Sequence, residues 1–253
     1  MRNPLFCLFA VVAFALPEAS ATTCEPTPVS VASPEAIVTH FDSARLNEGS
    51  SETVIELTTV RSSGDRTQSF KILDSGDGAT LVEFLDPRQR GNRVLSRDNK
   101  IWFYAPRTRR AIRVPAIQRV FGEASYGDLT QLLLSKEYSP SGPVCAGQIN
   151  GTTAVRVELE ARDEASTYAK VDLWVEPDDW LPVQVDYYVA SGKHIKSARF
   201  PNVQEIDEIV VLGTWHLYSP DDPEAVTRIE TVSFEQVELS ARRFTRRALE
   251  SGR

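Results

Sequence analysis

The chain has 253 residues, with 28 Lys and Arg against 35 Asp and Glu, a formal charge of -7 and 42% hydrophobic residues. The acidic balance argues against nucleic acid as a partner, and the hydrophobic content is that of an ordinary globular chain. The length excludes a minimal stapled scaffold and allows one all-β domain or two small ones.

The first residues read as a secretion signal. Arg2 supplies a short basic region, 5–16 is an unbroken apolar run, Pro17 breaks it, and Ala19-Ser20-Ala21 is a small-x-small cleavage site. Cleavage after Ala21 is expected, leaving a mature chain of 22–253 in one domain. The apolar run is too short to span a bilayer comfortably, and no later stretch approaches it. Cys7 leaves with the signal. Cys24 and Cys145 remain, an even number in an oxidising compartment, which predicts a disulfide. Such a bridge closes a long loop and is worth on the order of 4–5 kcal/mol in the chain-entropy model. The competing reading makes Cys24 a lipid-modified first residue, a poor fit to the preceding Ala21-Thr22-Thr23.

After an extended, Pro- and Thr-rich lead-in, Ser33-Pro34-Glu35 gives an N-cap, a first-turn proline and a first-turn acid. Ile37, Phe41 and Ala44 follow at helical spacing, so an amphipathic helix is expected over 34–47. From Glu52 the period becomes two. Strands are expected at 53–60, 68–73 and 79–85, joined by short Ser, Gly and Asp turns that make them antiparallel neighbours. The stretch 84–115 continues as strands at 101–104 and 111–114, punctuated by Asp86-Pro87, Gly91-Asn92, Asp98-Asn99 and Pro106. A second helix is expected over 128–135, capped by Asp128 and carrying Leu129, Leu132, Leu133 and Leu134. Strands resume at 152–160, 169–176, 181–189, 194–200, 208–218 and 226–237, before a short C-terminal helix over 242–249.

There is no βαβ rhythm. The fold class expected is mainly β: a curved antiparallel sheet forming a half-open barrel, covered by one to three short α-helices. Such a shape encloses an apolar cavity. Its candidate lining is Trp102, Tyr104, Val155, Val157, Leu159, Val183, Val185 and Tyr187.

No catalytic constellation is visible. His40, His194 and His216 fall on different elements and none sits near a cysteine, so no metal or cofactor is expected. Gly122-Glu-Ala-Ser125-Tyr-Gly127 has the wrong spacing for a nucleophile elbow. Asp178-Asp179 and Asp221-Asp222 read as solvated turn residues. Nine arginines (88, 90, 93, 97, 107, 109, 110, 113 and 119) crowd one segment of an acidic chain, and Arg242, Arg243, Arg246 and Arg247 form a second cluster. One reading is a solvated hairpin surface. The other is a docking face for an acidic partner or anionic headgroups, with Arg107, Arg109, Arg110 and Arg113 as its candidates.

The run DPRQRG…VLSRDNKIWFYAPRTRRAIRVP with FGEASYGDL, then LWVEPDDWLPVQVDYYVASGKHIKSARF, then VSFEQVELSARRFTRRALE, resembles the outer-membrane lipoprotein-sorting family, the proteins similar to LolA and LolB. The resemblance spans nearly the whole chain after the signal and implies a non-enzymatic periplasmic carrier. Lipid or lipoprotein acyl chains would lie in an apolar cavity and be delivered toward the outer membrane. An inner-membrane exporter of the resistance-nodulation-division type is the partner it implies. The alternative from the same residues is a non-catalytic accessory or sensor module of an envelope transport complex, without cargo. The Arg-rich 107–113 hairpin and the longer chain depart from the better-known carrier pattern.

Overall fold

The structure, a computed structural model, describes the backbone of 25–26 and residues 33–45, 49–60, 64–130, 133–149, 151–163, 166–206 and 209–251. The first half runs β1 (Glu25–Pro26), α1 (Pro34–Arg45), β2 (Ser51–Val60), β3 (Arg66–Asp74), β4 (Thr80–Phe84), β5 (Arg93–Arg97), β6 (Lys100–Ala105) and β7 (Arg110–Val114). A small insert follows: β8 (Arg119–Phe121), β9 (Ala124–Ser125), α2 (Tyr126–Leu129), α3 (Leu134–Glu137) and β10 (Tyr138–Pro140). The second half is β11 (Cys145–Ile149), β12 (Thr152–Ala161), β13 (Lys170–Val175), β14 (Pro182–Tyr188), β15 (His194–Ile206), β16 (Ile209–Ser219), β17 (Asp222–Gln236) and α4 (Arg246–Ser251).

Fifteen strands form one sheet in the order β1-β11-β12-β13-β14-β15-β16-β17-β2-β3-β4-β5-β6-β7, with β10 also on β12. Every pairing is antiparallel, so the sheet is two meanders joined where β17 meets β2, from Val226 opposite Val60 to Gln236 opposite Ser51. The ends of the order, β7 and β1 with β11, do not pair, and the expected half-open barrel is the architecture found.

Alternation places Ile55, Leu57, Phe70, Val157, Leu173, Val185 and Ile229 on the inner face, buried in one core. Its cover is α1 and the insert. Ser33 caps α1 through its hydroxyl, which accepts the Ala36 N–H at 3.3 Å. Ile37, Val38 and Phe41 then point inward, and the Phe41 ring meets Phe200 edge-on at 6.1 Å. The insert folds under the sheet through the β8–β9 hairpin. Gly122 turns it at φ +55°, with a Cβ there falling 2.2 Å from Thr59 and from Thr227. Only glycine allows that approach. Glu123 secures the turn by donating its N–H to the Thr227 hydroxyl at 2.8 Å.

A second, smaller core lies on the opposite face of β3–β7, where Phe244 and Leu249 of the C-terminal segment pack on Leu73, Leu81, Leu95 and Tyr104. Each of these strands therefore buries apolar residues on both faces.

Several expectations need correction. The single helix over 128–135 is two one-turn helices, and its cap is Ser125, with Asp128 completing a capping box. β5 and β11 were missed, and the strand over 194–200 runs on to Ile206. The C-terminal helix over 242–249 is a 3-10 turn at Ala241–Arg243 followed by α4.

Candidate functional site

The inner face is nearly filled by the chain's own cover. A void of about 50 Å³ lies on the inner face, lined by Ile72, Tyr187, Phe200 and Trp215 together with polar Ser51, Thr53 and Asp74. Residues of α1 and of the insert pack in the same core as the inner face on which the apolar cavity is expected. A much larger cleft of about 690 Å³ opens at the β7 end of the sheet. Ile101, Val114, Ile117 and Leu133 make its apolar wall, and Asp77, Asp98, Asn99, Lys136 and Asp163 contribute polar groups. It is assembled from turns and element ends: the β3–β4 and β5–β6 turns, the exit from β7, α3 and the β12–β13 turn.

The candidate lining residues separate. Val155, Val157, Leu159, Val185 and Tyr187 lie together on the inner face, and Tyr187 alone of the eight reaches the small void. Val183 is half-buried at an irregularity, since Pro182 and Gln184 pair with Val175 and Trp174 and leave it out of register. Trp102 and Tyr104 face the other way, under Phe244 and Leu249. None of the eight lines the larger cleft.

The arginines separate as well. The Arg93 guanidinium lies 4.9 Å from the centroid of the Tyr104 ring, Arg97 donates to the Phe244 carbonyl at 3.2 Å, and Arg119 pairs with Glu123 at 2.7 Å. These three are structural. Arg107, Arg109, Arg110 and Arg113 stay exposed on the β6–β7 hairpin, and Arg113 also lines the larger cleft. The C-terminal cluster joins them in space, because α4 packs against β5, β6 and β7.

Two buried polar links fasten the cover. Lys196, on β15, holds both oxygens of Asp128 at 2.6 Å. Its ammonium also sits 5.1 and 5.0 Å from the ring centroids of Tyr168 and Tyr187. Burial drives the Tyr168 hydroxyl well above the ordinary tyrosine range. The second link is Asp42 of α1, whose carboxylate accepts the N–H groups of Leu134 and Ser135 at 3.1 and 2.7 Å.

Glu137 follows in α3, beside the larger cleft. Burial, helped by the Asp42 charge, pushes its carboxyl up to about 7. A raised folded-state value means that this group favours folding below its unfolded range, near 4.5, and loses that contribution as pH rises through about 7. Glu137→Gln is therefore expected to stabilise the protein by roughly 3 kcal/mol near pH 8 and to change little near pH 4. Urea unfolding at the two pH values measures it; an equal effect at both places the cause outside this titration.

On the outer face Asp186, His194 and Ser197 gather, but not as a catalytic relay. Ser197 donates to Asp186 at 2.6 Å, while the same His194 nitrogen, Nε2, lies 3.1 Å from that hydroxyl and 3.5 Å from the carboxylate. A nucleophile whose proton is already held by the acid has no base poised to take it. Among the described residues no group of three or more His, Cys, Asp and Glu could hold a metal ion. No described helix is long and apolar enough to cross a membrane. Cys145 is disulfide-bonded; Cys24, its expected partner, lies outside the described residues, as does the signal segment.

The same architecture occurs in solved proteins. A LolA superfamily protein from Nitrosomonas europaea superposes with a TM-score of 0.77 at 21% identity, over 85% of this chain and 98% of that one. A domain described as that of an outer membrane lipoprotein-sorting protein, from Vibrio parahaemolyticus, gives 0.71 at 20% identity, over 85% and 97%. A DUF1329 family protein from Desulfovibrio piger gives 0.70 at 20%, over 85% and 97%. At such identities the likeness speaks for the fold, and there it bears out the resemblance read from the sequence. The comparison with curated proteins found no match. A family model described as "-like: Uncharacterized protein" matches residues 76–251, well over half of a chain that carries the LolA-superfamily fold, and the chain belongs to that family.

Proposed function

We propose that this protein is a periplasmic carrier of lipid or lipoprotein acyl chains, exported with cleavage after Ala21 and stapled by a Cys24–Cys145 disulfide. The observation that carries the reading is the way the apolar inner face is closed. Its cover is not a second sheet but one helix and a small insert, beside a cleft of about 690 Å³ at the β7 end of the sheet. That volume falls within the ~300–1,000 Å³ of small-molecule sites. An acyl chain gains about 0.8 kcal/mol per CH₂ removed from water, so carriage needs no covalent chemistry and no cofactor. The amphipathic cleft receives the chain, and displacement of α1 extends the site onto Val155, Val157, Leu159, Val185 and Tyr187. Cargo would pass toward the outer membrane, with Arg107, Arg109, Arg110 and Arg113 meeting the partner. An inner-membrane exporter of the resistance-nodulation-division type is the partner that the sequence resemblance implies. The disulfide fits the strand pairing, since Pro26 of β1, two residues after Cys24, lies opposite Cys145.

A second reading, an accessory or sensor module without cargo, is favoured by one observation: the inner void is only about 50 Å³. Native mass spectrometry of protein purified without detergent separates the two. Carriage predicts co-purified lipid, and release of it by Leu133→Asp, which puts a charge in the cleft wall. A protein that emerges empty and takes up no fluorescent fatty acid leaves the second reading standing and removes the first.

A further inference from the structure

The exposed edge of β7 has the features of a docking strand. It is the terminal strand of the sheet, so among the described residues one side of its backbone has no neighbouring strand. Which groups face outward follows from one contact: the Ala111 N–H donates to Glu250 of α4 at 3.1 Å and so points away from β6. By the two-residue period, the N–H and C=O of Arg113 point outward as well. The side chains alternate in step. Ile112 lies on the inner face opposite Phe103, and Arg113 on the outer face opposite Trp102. Ile112 is 56% exposed and Ile117, just past the strand, is 41% exposed; both are large aliphatics left bare at this edge. The larger cleft runs beside them, lined by 113–117.

Arginines dominate the charge on this edge, with Glu250 as the one acid of β7 and α4. Arg107, Arg109, Arg110 and Arg113 are exposed, and α4 adds exposed Arg246 and Arg247. Glu250 shows what the edge accepts: its carboxylate takes the backbone N–H, lies 3.3 Å from Arg246, and is held below the usual glutamate range by that bond first and by Arg246 and Arg110.

We propose that β7 binds an extended segment of a partner polypeptide as an added strand, one in which aliphatic and acidic residues alternate. The backbone of the segment completes the ladder at Arg113. Its aliphatic side chains fall beside Ile112 and into the cleft, and its acids face Arg113 and the arginines of α4. Two rival occupants fit less well. A flat anionic membrane matches the charge but leaves the outward backbone groups and the concave cleft unused. A second copy would bring another set of the same exposed arginines to this edge, and like charges brought side by side are unfavourable. This inference goes beyond the carriage reading and does not depend on it, because strand addition requires no lipid.

The test uses the full chain, a short fluorescent peptide alternating valine and glutamate, and the same peptide with a central proline. Fluorescence anisotropy should show binding of the first, with amide exchange slowed at 110–114. Affinity should fall about tenfold or more for the proline peptide, which cannot complete the ladder, and for Arg110→Glu/Arg113→Glu. Both substituted side chains are exposed, and a matched urea unfolding curve shows that the variant folds. Equal binding of the two peptides, or binding without slowed exchange at 110–114, overturns the proposal. So does the absence of peptide binding when phosphatidylglycerol vesicles capture the wild type and not the variant. A concentration-dependent dimer protected at 110–114 overturns it in favour of self-pairing.

Discussion

Lys196→Ala is expected to remove roughly 3–5 kcal/mol of unfolding free energy, read as a lower urea midpoint at unchanged slope. The Lys196 side chain is 7% exposed and that of Asp128 10%, so deletion strands a carboxylate among Tyr168, Tyr187 and the apolar inner face. Asp128 keeps the N–H and hydroxyl of Ser125, at 2.8 and 2.7 Å, and for that reason the loss should stay within this range. Lys196→Met should cost nearly as much, since the missing charge matters more than the missing stem. The double variant Lys196→Met/Asp128→Asn should recover part of the loss, because no lone charge remains buried. A loss below about 1 kcal/mol would show that water reaches this pair freely. The pair joins the sheet to the insert, so the single variants should also take up fluorescent fatty acid faster if carriage is correct.

Phe41→Ala is expected to cost roughly 3–5 kcal/mol. The ring is fully buried and stacks edge-on against Phe200 at 6.1 Å, in the middle of the only long helix among the described residues. Alanine forfeits the transfer energy of the ring and leaves a hole that α1 can fill only by sinking, which Asp42 and the Ile37–Val38 contacts oppose. Thermal and urea unfolding measure the loss. A cost under about 1 kcal/mol would mean that α1 is only laid on the sheet. A large cost together with faster fatty-acid uptake would identify α1 as the part that moves.

Much of the fold was legible. β12 alternates with Val155, Val157 and Leu159 inward and Arg156 and Glu158 outward, which is the signature of a sheet with one wet face. The turn Asp98-Asn99 was readable too, and both residues adopt left-handed φ, 52° and 54°. Logic alone would then have required β5 before it; the two arginines of RVLSR hid that strand. The misplacement of Trp102 and Tyr104 has a definite cause. In IWFYA both faces are apolar because Phe244 and Leu249 cover the outer one, so period two cannot say which way is in. The short helix expected over 242–249 carries those two residues, but nothing in its sequence says which strands it covers. Lys196 did leave a mark: it shares the apolar register of Ala198 and Phe200, and a charge on a core register calls for a buried partner. The larger cleft left none. Its walls are turns and element ends spread over 77–167, and only the fold turns them toward one another.

The pairing of β17 with β2 has a consequence for how the molecule is made. Val60 meets Val226 and Ser51 meets Gln236, so the last strand to leave the ribosome completes a ladder with nearly the first. Closing so long a loop delays folding, because its entropy is lost before any contact repays it. Until then each half is a sticky ribbon with a bare margin, prone to join its neighbours instead of its other half. A polypeptide arranged this way gains from being shielded from its neighbours until both halves are present.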